Sequence, residues 1–402
     1  MFHPDPIIIA GAGPCGSTLA LYLARQDIPV LLLERCPALP RDLRASTFHP
    51  PTLEMLDDLG VAQAMIDKGL IVDRYQYRDR RSGEVAEFDM NVIADETAFP
   101  FRLQLEQYEM THLVNAELQR LDHAQVCFEH EVTGAVQDAD GVTVHINTPD
   151  GPMTRHTPFL VGADGAGSRV RKAAGIGFGG FTYDEKFLVV STAFAFENVF
   201  DNLSYVNYVA DPDEWCVILR TEKLWRVLFP VFPKTPEDET RVLSDEYIQA
   251  RLRHLHDRGE PYDICHRTLY NVHQRVSETY VNGRITLAGD ACHINNPLGG
   301  MGMNGGIHDA HNLGGKLVDV WHRGRDHAEA FGQYDRQRRD LAVQFVQTHT
   351  INNKKLMEST DPDVQTKRQR MLMDTAADPA KAKAFVQERA MIDCLRDSLA
   401  VA

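Results

Sequence analysis

A turn with three regularly spaced glycines, set between two short apolar runs, is the feature that most constrains the fold of this chain. Its glycines are Gly11, Gly13 and Gly16, in the spacing G-x-G-x-x-G. The apolar run Ile7–Ala10 precedes the turn, helix-forming residues follow it, and a second run, Val30–Leu33, ends at Glu34. This order predicts a strand, a turn, a helix and a second strand, the unit that binds dinucleotides in α/β proteins.

Each part of this unit has a role in binding a dinucleotide. The first glycine permits the tight turn, the second lets the backbone approach a pyrophosphate, and the third allows close helix–strand packing. The helix N-terminus offers unpaired N–H groups to the phosphates, and the acid that ends the second strand accepts hydrogen bonds from a ribose. The predicted contacts are Gly11, Gly13, Pro14, Cys15, Gly16, Glu34 and Arg35. The motif leaves NAD and FAD open, with a purely structural glycine turn as the alternative.

Charge and cysteine usage narrow the classes of partner. The formal net charge is −15 over 402 residues, which argues against a nucleic-acid or anionic-membrane partner. The densest basic segment, residues 336–340, is interpreted as a solvated helix face. The start of the chain does not read as a secretory signal, and no apolar run approaches the roughly 18 residues of a membrane span. Scattered cysteines without C-x-x-C indicate reduced thiols and a cytoplasmic protein; the oligomeric state stays open, a homodimer included.

Two further segments place glycine next to aspartate. "GADGAGSRVR" contains Asp164 and Arg169, follows a short apolar strand and leads into a helix. "RITLAGDACHINNPLGGMGMNGG" predicts a strand, then Gly289 and Asp290, then a glycine-dense loop and a helix from about Asn304. Ordering a loop rich in glycine costs much backbone entropy, so this segment is either a flexible surface loop or a loop that contacts a large ligand closely.

The three segments, in this order, resemble the single-component FAD-dependent aromatic hydroxylases, the class typified by para-hydroxybenzoate hydroxylase. The first matches their glycine fingerprint, the second their "DG" motif, and the third their "GD" motif with its P-x-x-G-x-G-x-N-like loop. "RASTFHPPTLEMLDDLG" and "EQYEMTHLV" are also similar to family segments. The resemblance covers about residues 5 to 350.

The resemblance implies roles for residues beyond the glycine turn. Asp290 would hold the ribityl chain of FAD, and the loop after it would lie against the isoalloxazine ring, leaving no room for a side chain at Gly302. Pro297 would contribute backbone next to the substrate. The further cofactor contacts that it implies are Arg44, Arg102, Gln107, Asp164, Arg169, Gly289, Gly300, Met303 and Asn304. Three alternatives stay open: a surface salt bridge for Arg102, a helix-start cap for Gln107 and a turn cap for Asp164.

The resemblance also implies an activity. NADH or NADPH would reduce non-covalently bound FAD, and O₂ would then form a flavin C4a-hydroperoxide that hydroxylates an aromatic substrate, phenolic or an aromatic acid. Two kinds of rival remain open. One is a related flavoenzyme, such as an epoxidase, a halogenase or a prenyl reductase. The other is a flavin-binding sensor without catalysis.

The region between the "DG" and "GD" segments is rich in β-forming runs with short turns, which predicts an antiparallel sheet. We therefore expect an α/β fold in which a Rossmann-like FAD-binding domain (1–72, 100–178, 280–345) carries an inserted substrate domain (73–99, 179–279), followed by a C-terminal helical segment (346–402). The candidate substrate contacts are Tyr205, Tyr208 and Arg220. No metal site is expected, because the spaced pair His308 and His311 is better explained by helix contacts.

Overall fold

The structure is a computed structural model that describes residues 5–41, 43, 45–359 and 361–402, without the side chains at 345–347, 349, 353, 356 and 358. Its strands are β1 Ile7–Ala10, β2 Val30–Leu33, β3 Thr47–Phe48, β4 Leu70–Val72, β5 Arg74–Asp79, β6 Val85–Asp89, β7 Arg102–Gln104, β8 Ala124–Cys127, β9 Glu131–Gln137, β10 Val142–Thr148, β11 Gly151–Thr157, β12 Leu160–Gly162, β13 Phe178–Thr192, β14 Val206–Ala210, β15 Cys216–Arg220, β16 Trp225–Val231, β17 Ile264–Ser277, β18 Val281–Asn282, β19 Ile285–Leu287 and β20 His293–Ile294.

The helices carry the rest of the regular structure. They are α1 Pro14–Ala24, α2 Pro50–Asp58, α3 Ala62–Ile66, α4 Gln107–Leu118, α5 Arg169–Ala173, α6 Pro236–Val242, α7 Asp245–Leu255, α8 Met301–Arg323, α9 His327–Leu341, α10 Thr348–Glu358, α11 Pro362–Ala377, α12 Pro379–Arg389 and α13 Ile392–Ala400. A π-helical segment, Ala342–Gln347, joins α9 to α10. Among the described residues, no helix is both long and apolar enough to cross a lipid bilayer.

The glycine turn belongs to a six-stranded sheet with the order β18-β19-β12-β1-β2-β8. Its pairs are parallel except β18–β19. All four residues of β1 are buried, as expected for a parallel strand covered on both faces. Helix α1 packs against both α4 and α8. The predicted Rossmann-like unit is therefore confirmed.

The predicted second sheet has eight strands in the order β20-β17-β13-β16-β15-β14-β5-β6. Most of its neighbours are antiparallel, as predicted, and the early hairpin β5–β6 joins its edge. One pair differs, because β14 runs parallel to β5. Parallel pairing needs a long connection between the strands. Here the chain that connects β5 to β14 forms much of the cofactor-binding fold. The domain boundaries given above stay a prediction.

The two faces of this sheet are covered by different helices. On one face Ile248 and Leu252 of α7 pack into an apolar cluster, which confirms the prediction that a helix within residues 244–259 covers one face of the sheet. On the other face the cluster includes Leu298 from the glycine-dense loop and Leu372 and Val386 from α11 and α12. This second face, called the substrate face below, therefore lies between that loop and the C-terminal helices.

Residues 377–400 predict one helix that is capped by Asp378 and has Pro379 at its first position, and the structure confirms this start but not this length. Asp378 caps α12 by accepting from the backbone N–H groups of Ala380 (3.1 Å) and Lys381 (3.2 Å), with Pro379 at the first helical position. The sequence had indicated one helix to the end of the chain. Met391 instead adopts a left-handed conformation (φ 65°), which ends α12 and starts α13.

A buried charge cluster joins α8 and α9 to the "GD" turn. The Asp309 carboxylate accepts from Arg338 Nε at 2.7 Å, from His293 Nε2 at 2.8 Å and from the Gly289 backbone N–H at 3.0 Å. Burial disfavours the charged carboxylate, yet His293 and Arg338 outweigh it and lower the pKa of Asp309 to about 2. The interpretation of residues 336–340 as a solvated face is wrong at Arg338, which is 2% exposed, because the sequence does not show its distant partner.

Replacing Arg338 by methionine should destabilise the protein strongly. The change would leave the buried Asp309 carboxylate without its cationic partner, and breaking a buried pair from one side costs about 3–5 kcal/mol. Arg339→Met is the matched control, because Arg339 is partly exposed and pairs with Asp335 at 3.5 Å; its loss should stay within about 1 kcal/mol. Urea unfolding of the FAD-loaded proteins measures both, and equal losses would contradict the assignment.

Candidate active site

A cleft of about 640 Å³ opens at the carboxyl ends of β1, β2 and β12. We call it the main cleft. The predicted cofactor contacts that line it are Gly11, Gly13, Pro14, Cys15, Glu34, Arg35, Gln107, Asp164, Arg169, Gly289, Asp290, Gly302 and Met303. The three sequence motifs thus meet at one site. Its volume is in the roughly 300–1,000 Å³ range of cofactor and ligand sites.

The three glycines of the turn are required for different reasons. Gly11 has φ 100°, and a Cβ there would overlap the Ala163 carbonyl oxygen. A Cβ on Gly16 would overlap the Gly11 carbonyl oxygen, so this glycine lets α1 pack on the turn. A Cβ on Gly13 would meet no protein atom within 4 Å. Its place on the cleft wall is therefore open to a ligand, which fits the predicted approach of a pyrophosphate.

Glu34 has a second function beside its place in the cleft. One carboxylate oxygen accepts from the Ala12 N–H at 2.9 Å and the other from the Cys36 N–H at 3.0 Å. The side chain is 8% exposed. Glu34 therefore fixes the backbone of the glycine turn, and the sequence did not indicate this.

Asp164, the aspartate of the "DG" motif, has the position predicted for a cofactor contact and also acts as the cap that was its alternative. Asp164 lines the cleft and also caps α5, accepting from Ser168 Oγ at 2.5 Å and from the Arg169 N–H at 2.7 Å. The Arg169 side chain turns to Glu131, with Nε 2.8 Å from Oε1. Arg171, which the sequence did not single out, donates to the Ala291 carbonyl at 2.7 Å. It thereby ties the "DG" segment to the "GD" turn.

The glycine-dense loop turns through left-handed backbone before α8 begins. Gly299 and Gly300 have φ 97° and 68°, conformations that favour glycine. The helix begins at Met301, earlier than the predicted start near Asn304. Gly302 therefore lies in its first turn, where it lines the main cleft and where a Cβ would be 3.3 Å from Asn295 Oδ1.

Of the described residues predicted to contact the cofactor or to be catalytic, five do not line the main cleft: Gly16, Arg102, Pro297, Gly300 and Asn304. Asn304 instead secures the loop, because it accepts from the His49 N–H at 2.9 Å and donates to the Thr47 carbonyl at 2.8 Å. Arg102 is 2% exposed, so the surface salt bridge is wrong. Its guanidinium carbon lies 4.1 Å from the centre of the Tyr75 ring. Arg44 lies outside the described residues.

A second, smaller cavity lies on the substrate face of the eight-stranded sheet, with a volume of about 20 Å³. We call it the tyrosine cavity. Its lining residues are Tyr77, Tyr208, Leu298, Met357, Arg368, Met371, Leu372 and Arg389. Leu298 lines this cavity while Gly302 lines the main cleft, so the glycine-dense loop borders both.

The structure does not bring the three candidate substrate residues together. Tyr208 lies on the substrate face and stacks on Tyr77 with ring centres 4.9 Å apart. Tyr205 lies three positions earlier on the chain, just before β14 begins. Tyr205 is 39% exposed and, with Arg220, lies near Trp225 on the opposite face.

Two buried histidines, His49 and His308, flank the glycine-dense loop. His49 Nε2 is 2.9 Å from the Gly299 carbonyl, and because a carbonyl only accepts, this nitrogen donates. Burial, with the charge of Arg102, lowers the pKa of His49 to about 3. His308 Nε2 contacts Thr52 Oγ1 at 2.9 Å, and His311 packs edge-on against another ring, that of Tyr22. His308 and His311, which both lie on α8, therefore make ordinary contacts within the protein.

The chain matches a family described as "FAD binding domain" over residues 5–349. It is 30% identical over 391 residues to para-nitrophenol 4-monooxygenase of Pseudomonas sp. (strain WBC-3), covering 95% of this chain and 94% of the relative. It is 29% identical to 6-hydroxy-3-succinoylpyridine 3-monooxygenase of Pseudomonas putida (strain DSM 28022 / S16), covering 86% and 87%.

The fold is similar to that of solved structures along nearly the whole chain. The crystal structure of p-nitrophenol 4-monooxygenase from Pseudomonas putida DLL-E4 superposes with a TM-score of 0.90 at 28% identity, covering 97% of this chain and 99% of that one. That similarity includes the C-terminal helices.

Gly302→Val should weaken FAD binding at least about tenfold, because the branched side chain would project from a residue that lines the main cleft. Gly315→Val is the matched control on the same helix: its nearest neighbour at the Cβ position is Tyr22 Oη at 3.7 Å, and its affinity should stay near that of the parent. Titration of FAD fluorescence measures both dissociation constants. Equal affinities in the two variants would show that the loop does not border the flavin.

The low pKa of His49 in the folded protein should make the free energy of unfolding fall in acid. Its pKa is about 3 in the folded state and about 6.5 when unfolded. As pH falls through this window the unfolded chain binds the proton first. The contribution of His49 to the free energy of unfolding is therefore fully present above pH 6.5. It is lost as the pH falls towards 3, at about 1.4 kcal/mol per pH unit.

The variant His49→Gln keeps a donor for Gly299 but cannot titrate. Its free energy of unfolding, measured by urea denaturation, should fall less steeply than that of the parent between pH 6.5 and 4, and the difference between the two proteins should be constant above pH 7. Parallel curves over the acid range would contradict the assignment.

Proposed function

This chain belongs to the family of FAD-dependent aromatic hydroxylases, and we propose that its own substrate is a small, single-ring phenol. It is an NAD(P)H-dependent monooxygenase. When bound in the main cleft, FAD would supply the redox chemistry, namely electron uptake from NAD(P)H and activation of O₂ for transfer of one oxygen atom to the ring. The epoxidase, halogenase, reductase and sensor readings are not favoured by the similarities found.

The size of the substrate is inferred from the closure of the substrate face. Helices α11 and α12 cover it, and the cavity described there, the tyrosine cavity beside Leu298, has a volume of about 20 Å³. A multi-ring substrate would have to displace these helices, whereas a single ring needs only local opening between the sheet and the loop. The relative that matches along nearly its whole length is named for para-nitrophenol, a single-ring phenol.

The proposed cofactor roles follow the lining of the main cleft. The diphosphate would lie at Gly13, where no side chain blocks the backbone, with the N-terminus of α1 facing it. Glu34 would accept from the adenosine ribose, and Asp290 would contact the ribityl chain. The ring edge would meet Gly302 and Met303, at the positive end of the α8 dipole, which stabilises negative charge on a reduced flavin.

The remaining predicted residues have supporting roles in this proposal. Asp164 and Arg169 border the cleft and would contact the cofactors from the "DG" side. Pro297 is exposed and precedes Leu298, so its backbone would lie beside the substrate. Arg102, buried on the substrate face, would act between the flavin and the ring. The tyrosines of the sheet would orient the substrate and exclude water from the reacting atoms.

Oxidation of NADH and NADPH should be measured with and without a panel of phenols, with product analysis. We expect stimulation by single-ring phenols such as 4-nitrophenol or 4-hydroxybenzoate, with hydroxylated or otherwise oxygenated product. Methyl ethers of the same rings are the matched controls and should stay at background, because they lack the activating hydroxyl. A non-catalytic sensor would show no turnover, and stimulation by multi-ring phenols alone would overturn the proposed size class.

A further inference from the structure

The chain enters the glycine-dense loop directly from β20, an edge strand of the eight-stranded sheet. The backbone pairing between β20 and β17 ends at Ile294 and Arg275. From there the side chain of Gln274, the neighbouring residue of β17, takes over, because its Oε1 accepts from the Asn296 N–H at 3.1 Å. Gln274 is 0% exposed. One buried amide thus continues the hydrogen bonding of the sheet into the loop.

The next four residues of the loop form a closed turn. The Pro297 carbonyl accepts from the Gly300 N–H at 3.0 Å, and Gly299, with φ 97°, occupies the third position, where a type II turn needs positive φ. Asn296 braces the start of this turn, because its Oδ1 accepts from the Leu298 N–H at 3.1 Å. The turn is therefore held together by its own bonds, and its placement depends on what holds its two ends.

The two ends of the turn are held by different parts of the molecule. Beyond the turn, Asn304 bonds to the backbone of Thr47 and His49 in the cofactor-binding fold. Before the turn, the backbone of Asn296 is held by Gln274 of the sheet. The position of the turn relative to the main cleft is therefore set by Gln274 on the side of the sheet.

The other end of the Gln274 amide reaches a C-terminal helix. Its Nε2 donates to Thr350 Oγ1 of α10 at 3.0 Å, and Thr350 is also 0% exposed. One helical turn later, Lys354 pairs with Glu185 of β13 at 2.9 Å, with both side chains buried. Thr350 lies just beyond residues 5–349, which match the FAD-binding family. A buried polar chain thus joins α10 to the loop through Gln274.

We propose that Gln274 is a positioning residue for oxygen transfer, which holds the Pro297–Gly300 turn at the distance from the main cleft that brings the substrate ring within reach of the flavin. Its bond to Thr350 makes this position depend on α10. A fully bonded buried amide specifies one arrangement of its neighbours, which an apolar side chain of the same size would not. This inference rests on the proposed function, because the turn lies where ring and flavin would meet.

Misplacement of the ring has a defined chemical outcome. In the coupled reaction NAD(P)H, a proton, O₂ and the phenol give NAD(P)⁺, water and the hydroxylated ring. When the ring is out of reach, the same two electrons and two protons reduce O₂ to H₂O₂, and no C–O bond forms. A displacement of about 1 Å can cost about a hundredfold in rate. The ratio of product to oxidised NAD(P)H therefore reports the position of the ring, whereas a loss of stability alone leaves this ratio unchanged in the folded protein.

The test compares variants saturated with FAD, using 4-nitrophenol or whichever phenol of the panel the parent turns over fastest. Gln274→Met keeps the volume and removes both bonds, so the product ratio should fall at least about threefold, with H₂O₂ accounting for the difference. The visible circular dichroism of bound FAD should also change. Asn271→Leu is the matched control, because Asn271 is an exposed amide on the same strand, and both readouts should equal those of the parent.

The link to α10 is tested by two changes at one position. Thr350→Val removes the hydroxyl at similar volume and should lower the product ratio in the same direction as Gln274→Met. Thr350→Ser keeps the hydroxyl and should restore the ratio of the parent. The double variant with Gln274→Met and Thr350→Val should have the ratio of Gln274→Met alone, because both changes interrupt one chain of bonds. Additive losses would contradict the link.

The outcomes separate this inference from the proposed function. A folded Gln274→Met protein with full FAD content, an unchanged product ratio and unchanged dichroism would overturn the positioning role, even if it were less stable. If Gln274→Met does not fold, Thr350→Val decides by the same readouts. A parent that turns over no single-ring phenol would overturn the proposed function, while the dichroism of bound FAD, which needs no turnover, still decides the role of Gln274.

Discussion

The buried Asp309 carboxylate is the interaction on which the cofactor end of the molecule depends. A charge in the protein interior is tolerated only when it is paired and hydrogen-bonded. Asp309 obtains this from Arg338 on α9, from His293 and from the Gly289 N–H. The "GD" turn, and with it the place of Asp290 at the cleft, is therefore set by a charge pair between helices that follow it in the chain.

The loop after this turn borders both the main cleft and the tyrosine cavity. It contributes Leu298 to the tyrosine cavity and Gly302 to the main cleft. Asn304 holds its end by bonds to the backbone of Thr47 and His49, and the left-handed glycines shape its middle. A substrate ring and a flavin edge placed on either side of this loop would contact one common, internally braced segment, so that a shift caused by one ligand would reach the other.

The sequence predicted those parts of the fold and site that depend on local chemistry. The glycine turn, the acid after β2 and the "DG" and "GD" turns can be recognised because backbone conformation demands particular residues at fixed spacing. The predictions failed where the partner is distant. Arg338 has the local pattern of an exposed helix residue, and only the fold brings it to Asp309. Tyr205 and Tyr208 are three positions apart, but Tyr205 precedes β14 and lies near Trp225, whereas Tyr208 lies within β14 on the other face of the sheet.

The C-terminal helices add a feature that stability alone does not explain. An apolar side chain at position 389 would pack on Phe385 and Tyr77 without the cost of removing a guanidinium from water, and replacing buried charges by apolar groups often stabilises proteins. A buried cation therefore costs stability that its partners must offset. Places where a chain departs from the most stable choice are expected at functional sites. The two arginines that line the tyrosine cavity are such a place.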